Sequence, residues 1–434
     1  MDSVWRKSVD LPKFEKLKGD LKSDVLIIGG GAAGLLTAYF LQNAGVNCVL
    51  VEKERICGGV TQNTTAKITF QHGLIYNKIF KKYGKEKAVL YLHSNKQALE
   101  KYEEMSKLFE CDFEKNDNFV YSVDNPFKIE KELSALDKIG YKADFCENLK
   151  IPIKTSGAVK FNNQAQFNPL KFFAGLSEHL NIYENTFVRE MQDNTAVTDY
   201  GKIYADSVIV TTHFPFINKH GWYFIKMYQH RSYVSAFENA HDFDGMYVDE
   251  SDKGLSFRNY GDLLLLGGGG HRTGKNGGDW NELRSFAKEK FPEANEKYFW
   301  ATQDCLTLDG IPYIGRYSKN TTGLYTATGF NKWGMTGSMV SALLLTDLIM
   351  NRKNEFTELY NPSRNILHPQ LAINGFESVI NIINPFSKRC PHLGCALKWN
   401  KAEHSWDCPC HGSRFAENGK LLDNPANGDL NKKL

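Results

Sequence analysis

Apolar residues fall along this chain in short continuous runs bounded by glycine. The run Asp24-Val25-Leu26-Ile27-Ile28 reads as a strand and leads into Gly29-Gly30-Gly31-Ala32-Ala33-Gly34. A helical stretch, LLTAYFLQNAG, follows and closes at Gly45; Cys48-Val49-Leu50-Val51 is then a second strand, ending on Glu52. Together they predict one βαβ unit. Residues 95–180 alternate helical and strand-like patterns, and Asp206-Ser207-Val208-Ile209-Val210-Thr211-Thr212 reads as a buried strand returning to the first sheet. From 216 to 300 the pattern is strand-rich (YVSAFENA, GMYVDE, GLSFRNYGDLLLLGG). Then come Leu308-Asp309-Gly310-Ile311-Pro312-Tyr313-Ile314-Gly315, a strand over 323–329 and a helix beginning near Met335. After Asn361-Pro362-Ser363-Arg364 the composition shifts toward a cysteine-rich tail.

Composition narrows the classes. The chain has 434 residues, enough for two or three domains, with 42% hydrophobic and 24% charged residues. Net charge is +3 without blocks of like charge, which gives no reason to expect nucleic acid or an anionic membrane as partner. The N-terminal stretch lacks the apolar run of a secretory signal, and the longest apolar run, VSALLLTDLIM, is short and broken by Asp347. The expectation is a soluble cytoplasmic protein without a transmembrane segment. Of nine cysteines, Cys48, Cys57, Cys111, Cys146 and Cys305 are scattered, whereas Cys390, Cys395, Cys408 and Cys410 crowd together. Clustering at one end points to a metal or redox site.

The glycine-rich turn has the context that dinucleotide chemistry needs. Gly29 allows the tight turn, Gly31 lets the backbone approach a pyrophosphate, and Gly34 permits close helix–strand packing. The helix N-terminus then faces the phosphates and Glu52 accepts from ribose hydroxyls. The segment Ala327-Thr328-Gly329-Phe330-Asn331-Lys332-Trp333-Gly334-Met335-Thr336-Gly337 could bring a second helix N-terminus beside a flavin ring; as a motif it leaves FAD and NAD evenly matched. Gly267-Gly268-Gly269-Gly270 resembles a second nucleotide turn, but no third glycine falls in register and a loop follows.

The βαβ unit, DGIPYIG and ATGFNKWGMTG resemble the D-amino-acid oxidase and glycine oxidase superfamily of flavoproteins. GGVTQNTTAKITFQHGLIY at 58–76 is similar to the branch that carries a C-terminal Rieske domain. The resemblance implies FAD, with Glu52 on the adenosine ribose, Val188 near the adenine and Thr64-Thr65-Ala66-Lys67 against the isoalloxazine ring. It adds Ala33, Lys53, Gly59, Thr211, Gly310, Gly329, Gly334, Met335 and Thr336 as cofactor-binding candidates. His271 and Arg272, after the strand that in the family borders the substrate cavity, become site candidates; a structural histidine is the equal alternative for His271. Lys67 and His72 are candidate proton-transfer groups, against a surface or phosphate-contacting lysine and a core histidine.

The tail carries Cys390-Pro391-His392-Leu393-Gly394-Cys395 and Cys408-Pro409-Cys410-His411-Gly412-Ser413. This pattern matches a Rieske [2Fe–2S] site, with Cys390 and Cys408 on one iron and His392 and His411 on the other. A Cys₂His₂ zinc site is the alternative, but zinc fingers pair Cys with Cys and His with His along the chain. By the same resemblance, Cys395 and Cys410 form a disulfide between the cluster loops, and Ser413 hydrogen-bonds a bridging sulfide. Phe415 stands where respiratory relatives place a tyrosine.

The expected fold is α/β (α+β): a Rossmann-like FAD domain with an antiparallel-sheet substrate domain, plus a small all-β Rieske domain. Residues 1–365 form the flavoprotein, with FAD-binding parts near 1–95, 181–215 and 305–365 and substrate parts near 96–180 and 216–304. Residues 366–434 form a Rieske domain with a shortened base. Its apolar residues, including Ile382, Ile383, Trp399 and Trp406, are expected to use the flavoprotein surface as that missing base. The leading function is a dehydrogenase for an amine or amino-acid-like molecule, passing electrons from FAD to the cluster and on to an acceptor protein or quinone. The alternative is an electron-transfer or reductase module fed by an external donor.

Overall fold

Strand Leu21–Ile28, helix Ala32–Asn43 and strand Cys48–Val51 form the expected βαβ unit in a computed structural model that describes residues 2–251, 254–365, 371, 373–374 and 387–430. Val25–Ile28 and Cys48–Val51 are wholly buried, as central strands of a sheet covered on both faces must be. The sheet runs Tyr313–Arg316, Leu324–Thr328, Gly201–Val210, Leu21–Ile28, Cys48–Val51, Ile182–Tyr183 and is parallel at its centre. Strand Gly201–Val210 is the predicted return, with Val210 beside Ile28. Helix Gly334–Ile349 lies against helix Ala32–Asn43.

The second sheet runs Asn295–Thr307, Met227–Glu238, Leu263–Arg272, Ser256–Tyr260, Met246–Asp249, Glu114–Ser122, Gly157–Gln166, Lys67–Ile68. It is antiparallel except where Met246–Asp249 meets Glu114–Ser122. Because Lys67–Ile68 pairs with Gly157–Gln166, the Thr64–Lys67 stretch crosses from the first sheet to the second. The four glycines at 267–270 lie inside strand Leu263–Arg272, with Gly267 opposite Val234 and Gly268 opposite Tyr233. They serve close strand packing and form no nucleotide turn.

The third sheet is small and antiparallel: Lys398–Asn400, Ser405–Asp407, Arg414–Ala416, Leu421–Asp423. Upstream of it the pattern Leu371-Ala372-Ile373 suggests a strand, yet Leu371, Ile373 and Asn374 carry helical backbone. So short an apolar run does not distinguish the two periods. Ala372, Ile382, Ile383 and the second suggested strand, 379–383, lie outside the described residues. Among the described residues no helix is long and apolar enough to cross a membrane.

Candidate functional site

The glycine turn opens on a cavity of about 1100 Å³. Gly29 adopts φ +112°, and a Cβ there would sit 2.8 Å from the Thr211 carbonyl oxygen; one on Gly34 would lie 1.9 Å from the Gly29 oxygen. Neither position tolerates a side chain. Gly31 differs: the nearest atom to a Cβ would be Thr61 Oγ1 at 3.4 Å, and the open side faces the cavity. Behind the turn, Glu52 accepts hydrogen bonds from Gly30 N (2.8 Å) and Glu54 N (3.0 Å), while burial raises its pKa. A cradle of bare backbone at a helix N-terminus, backed by a carboxylate, fits a pyrophosphate and ribose.

Most residues expected at the cofactor do border this cavity: Gly29, Gly31, Ala33, Glu52, Lys53, Gly59, Thr64, Thr65, Lys67, Val188, Thr211, Gly310, Gly334 and Met335. Gly34, Gly329 and Thr336 stand behind its wall. Gly34 closes on Gly29, and a Cβ on Gly329 would meet Thr307 at 2.4 Å. Thr336 Oγ1 donates to the Thr69 carbonyl at 3.1 Å.

The candidate proton-transfer groups separate. His72 borders the cavity, but Tyr91 OH engages Nδ1 (2.7 Å), while Thr69 O (2.8 Å) and Thr336 Oγ1 (2.9 Å) engage Nε2. Burial pushes its pKa down to about 3. With both nitrogens spoken for and the ring stacked on Trp333, it is a core histidine. Lys67 keeps one contact, to Thr65 Oγ1 at 3.2 Å. Burial, reinforced by the neighbouring Arg258, lowers it to about 7. His271 does not border the cavity; it stacks on Tyr233, with Nδ1 3.2 Å from the Gly269 oxygen. Arg272 also points elsewhere, donating to the carbonyls of Pro409 (3.3 Å) and Cys410 (3.4 Å). The strand places both side chains away from the cavity, which sequence spacing could not reveal.

The two cysteine-bearing loops are one structure built twice. In the first, Cys390 N donates to Cys395 O and Gly394 N to Cys390 O, both at 2.9 Å; in the second, Cys408 N donates to Ser413 O and Gly412 N to Cys408 O, again at 2.9 Å. Gly394 (φ +75°) and Gly412 (φ +84°) occupy matching left-handed positions that glycine takes without strain. The loops face each other. Cys408 Sγ is in hydrogen-bond reach of the thiols of Cys390, Cys395 and Cys410, and the Nδ1 atoms of His392 and His411 are 3.2 Å apart. Two nitrogens held about 2.1 Å from one tetrahedral ion are about 3.4 Å apart, so these rings fit a shared iron. Ser413 Oγ accepts from Ala426 N at 2.9 Å and lies within hydrogen-bond reach of Cys390.

One expectation is not met: the cysteines are free thiols, and Cys395 and Cys410 are not joined. Their sulfurs lie within hydrogen-bond reach of each other and of the Cys408 sulfur, all three within 4.8 Å.

The sequence reading missed the residues that dock the loops. Gln229 and Gln303, on strands Met227–Glu238 and Asn295–Thr307, reach across to the cluster loop. Gln229 Nε2 donates to His411 O (2.8 Å) and Asn424 O (3.0 Å), and Gln303 Nε2 to Gly412 O (2.9 Å). Beside them Arg231 pairs through two nitrogens with Glu403, each side chain 4% exposed; Arg414 joins Glu403 (2.7 Å), Asp407 (3.0 Å) and Asp423 (3.1 Å). Phe224 meets the His411 ring edge-on, and Asn218 Oδ1 lies 2.9 Å from His392 Nε2. Of the residues expected to use an apolar base, Trp399 and Trp406 pack on each other, half-buried, while Phe187 of the flavoprotein part packs against the cluster-domain core. Loops that present backbone carbonyls need donors, and amides with paired charges supply them. The same docking makes Glu403, Arg414 and residues 421–424, 426 and 427 part of the cavity wall.

Comparison with known proteins agrees with this division. The family model "FAD dependent oxidoreductase" matches residues 24–348, and "Rieske [2Fe-2S] domain" matches 376–433. The Bacillus subtilis (strain 168) protein YhfW, named as a Rieske 2Fe-2S iron-sulfur protein, is 33% identical over 488 residues, covering 98% of this chain and 96% of YhfW. A cytochrome b6-f complex iron-sulfur subunit from Synechococcus sp. (strain JA-3-3Ab) is 54% identical over 37 residues, 8% of this chain and 22% of its own length. In fold, glycine oxidase from Geobacillus kaustophilus covers 80% of this chain and all of its own with a TM-score of 0.68 at 17% identity. L-proline dehydrogenase from P. horikoshii covers 80% of this chain and 98% of its own with a TM-score of 0.66, also at 17% identity.

Proposed function

The chain belongs to the FAD-dependent oxidoreductase family and carries a Rieske [2Fe–2S] domain, and from that premise we propose that it is a dehydrogenase for a small amine or amino-acid-like molecule, delivering electrons through the cluster to an external protein or quinone. The observation that carries this reading is the shared wall: strands Met227–Glu238 and Asn295–Thr307 border the cavity and also hold the carbonyls of His411 and Gly412. When bound, a flavin takes up a pair of electrons from a substrate while a [2Fe–2S] cluster carries them singly.

The chain's own residues orient and enclose. Gly29, Gly31 and the helix behind them would receive the pyrophosphate, Glu52 the ribose, and Val188 the adenine. Thr64, Thr65, Lys67, Gly334 and Met335 would line the ring's part of the cavity. Lys67, lowered to about 7, is a group at that end able to hold or release a proton at Nζ near neutral pH. Cys390 and Cys408 would hold one iron, His392 and His411 the other. Residues 421–427 lie over the nucleotide end, where Lys53 Nζ donates to Leu422 O (3.4 Å), and Asn424 Nδ2 to Thr212 O and Phe214 O (2.6 Å each).

The test is an anaerobic screen of amines and amino acids, following flavin absorbance and the cluster's paramagnetic signal separately. An amine should bleach the flavin and bring up the cluster signal. Glycine and simple D-amino acids should be poor substrates, because 301–307 contains no arginine to clamp a carboxylate. Reduction by NAD(P)H and by no amine would overturn the dehydrogenase reading in favour of an externally driven reductase.

A further inference from the structure

Asp304 sits on strand Asn295–Thr307 and borders the cavity. It is half-buried, and burial pushes its pKa up to about 6. The groups that face it are His230, opposite it in the strand pair with Met227–Glu238, Lys332, before helix Gly334–Ile349, and Arg231; the last two moderate the shift, and among the described residues no salt bridge to Asp304 forms. Among the described residues nothing hydrogen-bonds to its carboxyl. Two residues earlier on the same strand, and therefore on the same face, Thr302 Oγ1 is buried without a partner and also borders the cavity.

The cations around the cavity are arranged the other way. Each arginine on its wall already has a carboxylate of this chain: Arg6 with Asp2, Arg55 with Glu184, Arg231 with Glu403, and Arg414 with Glu403 and its neighbours. Lys67 is hydrogen-bonded to Thr65, and burial lowers it to about 7, so that it carries only part of its charge near neutral pH. An anionic ligand would find no unpaired guanidinium, although Lys53, Lys78, Lys82 and Lys332 also border the cavity, whereas a cation would find at Asp304 a carboxylate that accepts no hydrogen bond among the described residues. The strand also fixes where this happens. Asn331 N donates to Cys305 O at 3.0 Å and Asn331 Oδ1 accepts from Thr307 N at 2.8 Å, which ties Asp304 to the loop leading into helix Gly334–Ile349, at the ring end of the cavity.

We propose that Asp304, assisted by Thr302, anchors a cationic nitrogen, so that the substrate is an ammonium-bearing amine and not a carboxylate-anchored amino acid. This deepens the dehydrogenase reading and rests on it for the identity of the cavity. The anchor itself can be tested without turnover. tert-Butylammonium has no hydrogen on the carbon bearing nitrogen and cannot be oxidised there; pivalate has the same shape with the opposite charge. Each would be titrated into the purified holoenzyme, reading the flavin absorption spectrum and binding heat.

tert-Butylammonium should bind saturably and pivalate should not. Asp304→Asn should weaken the ammonium at least tenfold while keeping its flavin spectrum and cluster signal, and Asp304→Glu should retain binding. Should Asp304→Asn fail to fold, the unmodified protein still decides: binding requires the ionised carboxylate, so affinity should fall as pH drops through about 6. Saturable binding of pivalate with none of the ammonium, ammonium affinity unchanged in Asp304→Asn, no saturable ammonium binding, or affinity flat across that pH range would each overturn the proposal. If the ammonium binds and no amine is oxidised, the anchor stands and the dehydrogenase reading fails.

Discussion

The flavoprotein part and the cluster domain face one problem, holding a charged cofactor away from bulk water, with different materials. The first places a cradle of glycine backbone at the carboxyl end of a central strand whose last residues, Val25–Ile28, are wholly buried. Its fold owes little to the ligand. Among its described residues the cluster domain has four strands of three residues each, and their buried core cluster is Cys390, Cys395, Leu397, Cys408, Cys410, Phe415, Leu421 and Ala426. Half of that core is the cysteines themselves. What the domain lacks in apolar burial is supplied from outside, by Gln229, Gln303 and the ion pairs around Glu403. A small domain can thus be completed by polar docking, provided every buried charge is paired.

The comparison can be broken most severely by separating the parts. Residues 366–434 expressed alone and supplied with iron and sulfide should give neither cooperative unfolding by circular dichroism nor a stable Rieske spectrum; a folded, coloured fragment would show that the domain needs no dock. Next in size, His392→Ala or His411→Ala should abolish the cluster's paramagnetic signal and leave flavin bound and reducible. Normal electron delivery by either variant would remove these histidines from the site.

Glu403→Gln leaves Arg231 buried without its counter-charge, while Arg414 keeps Asp407 and Asp423. Breaking a buried pair from one side costs about 3–5 kcal/mol. Denaturant titration should therefore show an earlier transition in the cluster signal, with the flavin transition moving less. The smallest effect belongs to Asn424→Ala. Two carbonyls, Thr212 O and Phe214 O, lose their donor at the nucleotide end. At about 1–3 kcal/mol for unmade buried hydrogen bonds, FAD should dialyse away roughly tenfold faster.

The sequence was most legible where the chemistry is local. Gly29, Gly31, Gly34 and Glu52 fall within one βαβ unit, and each cluster loop brings its ligands within a few residues. Legibility failed where strands pair over long separations. Gln229 and Gln303 become neighbours only because Met227–Glu238 pairs with Asn295–Thr307, and nothing in either segment marks a glutamine as a donor to a loop more than a hundred residues on. His271 and Arg272 were misplaced for the same reason: the side to which a strand residue points depends on register, and here it turns Arg272 toward the cluster loop. Asp304 was passed over because an acid in a strand carries no motif. Its meaning lies in the carboxylates that already occupy every arginine around it.

A docked cluster domain and a swinging one differ in how they respond to friction, since domain excursions are diffusive and slow with solvent viscosity. The decisive measurement is stopped-flow reduction of the holoenzyme by an oxidisable amine under anaerobic conditions, recording the delay between flavin bleaching and the cluster signal at rising glycerol and rising protein concentration. A cluster fixed by Gln229, Gln303 and the Arg231–Glu403 pair predicts a delay indifferent to both. A delay that lengthens in proportion to viscosity, or shortens with protein concentration, would contradict it.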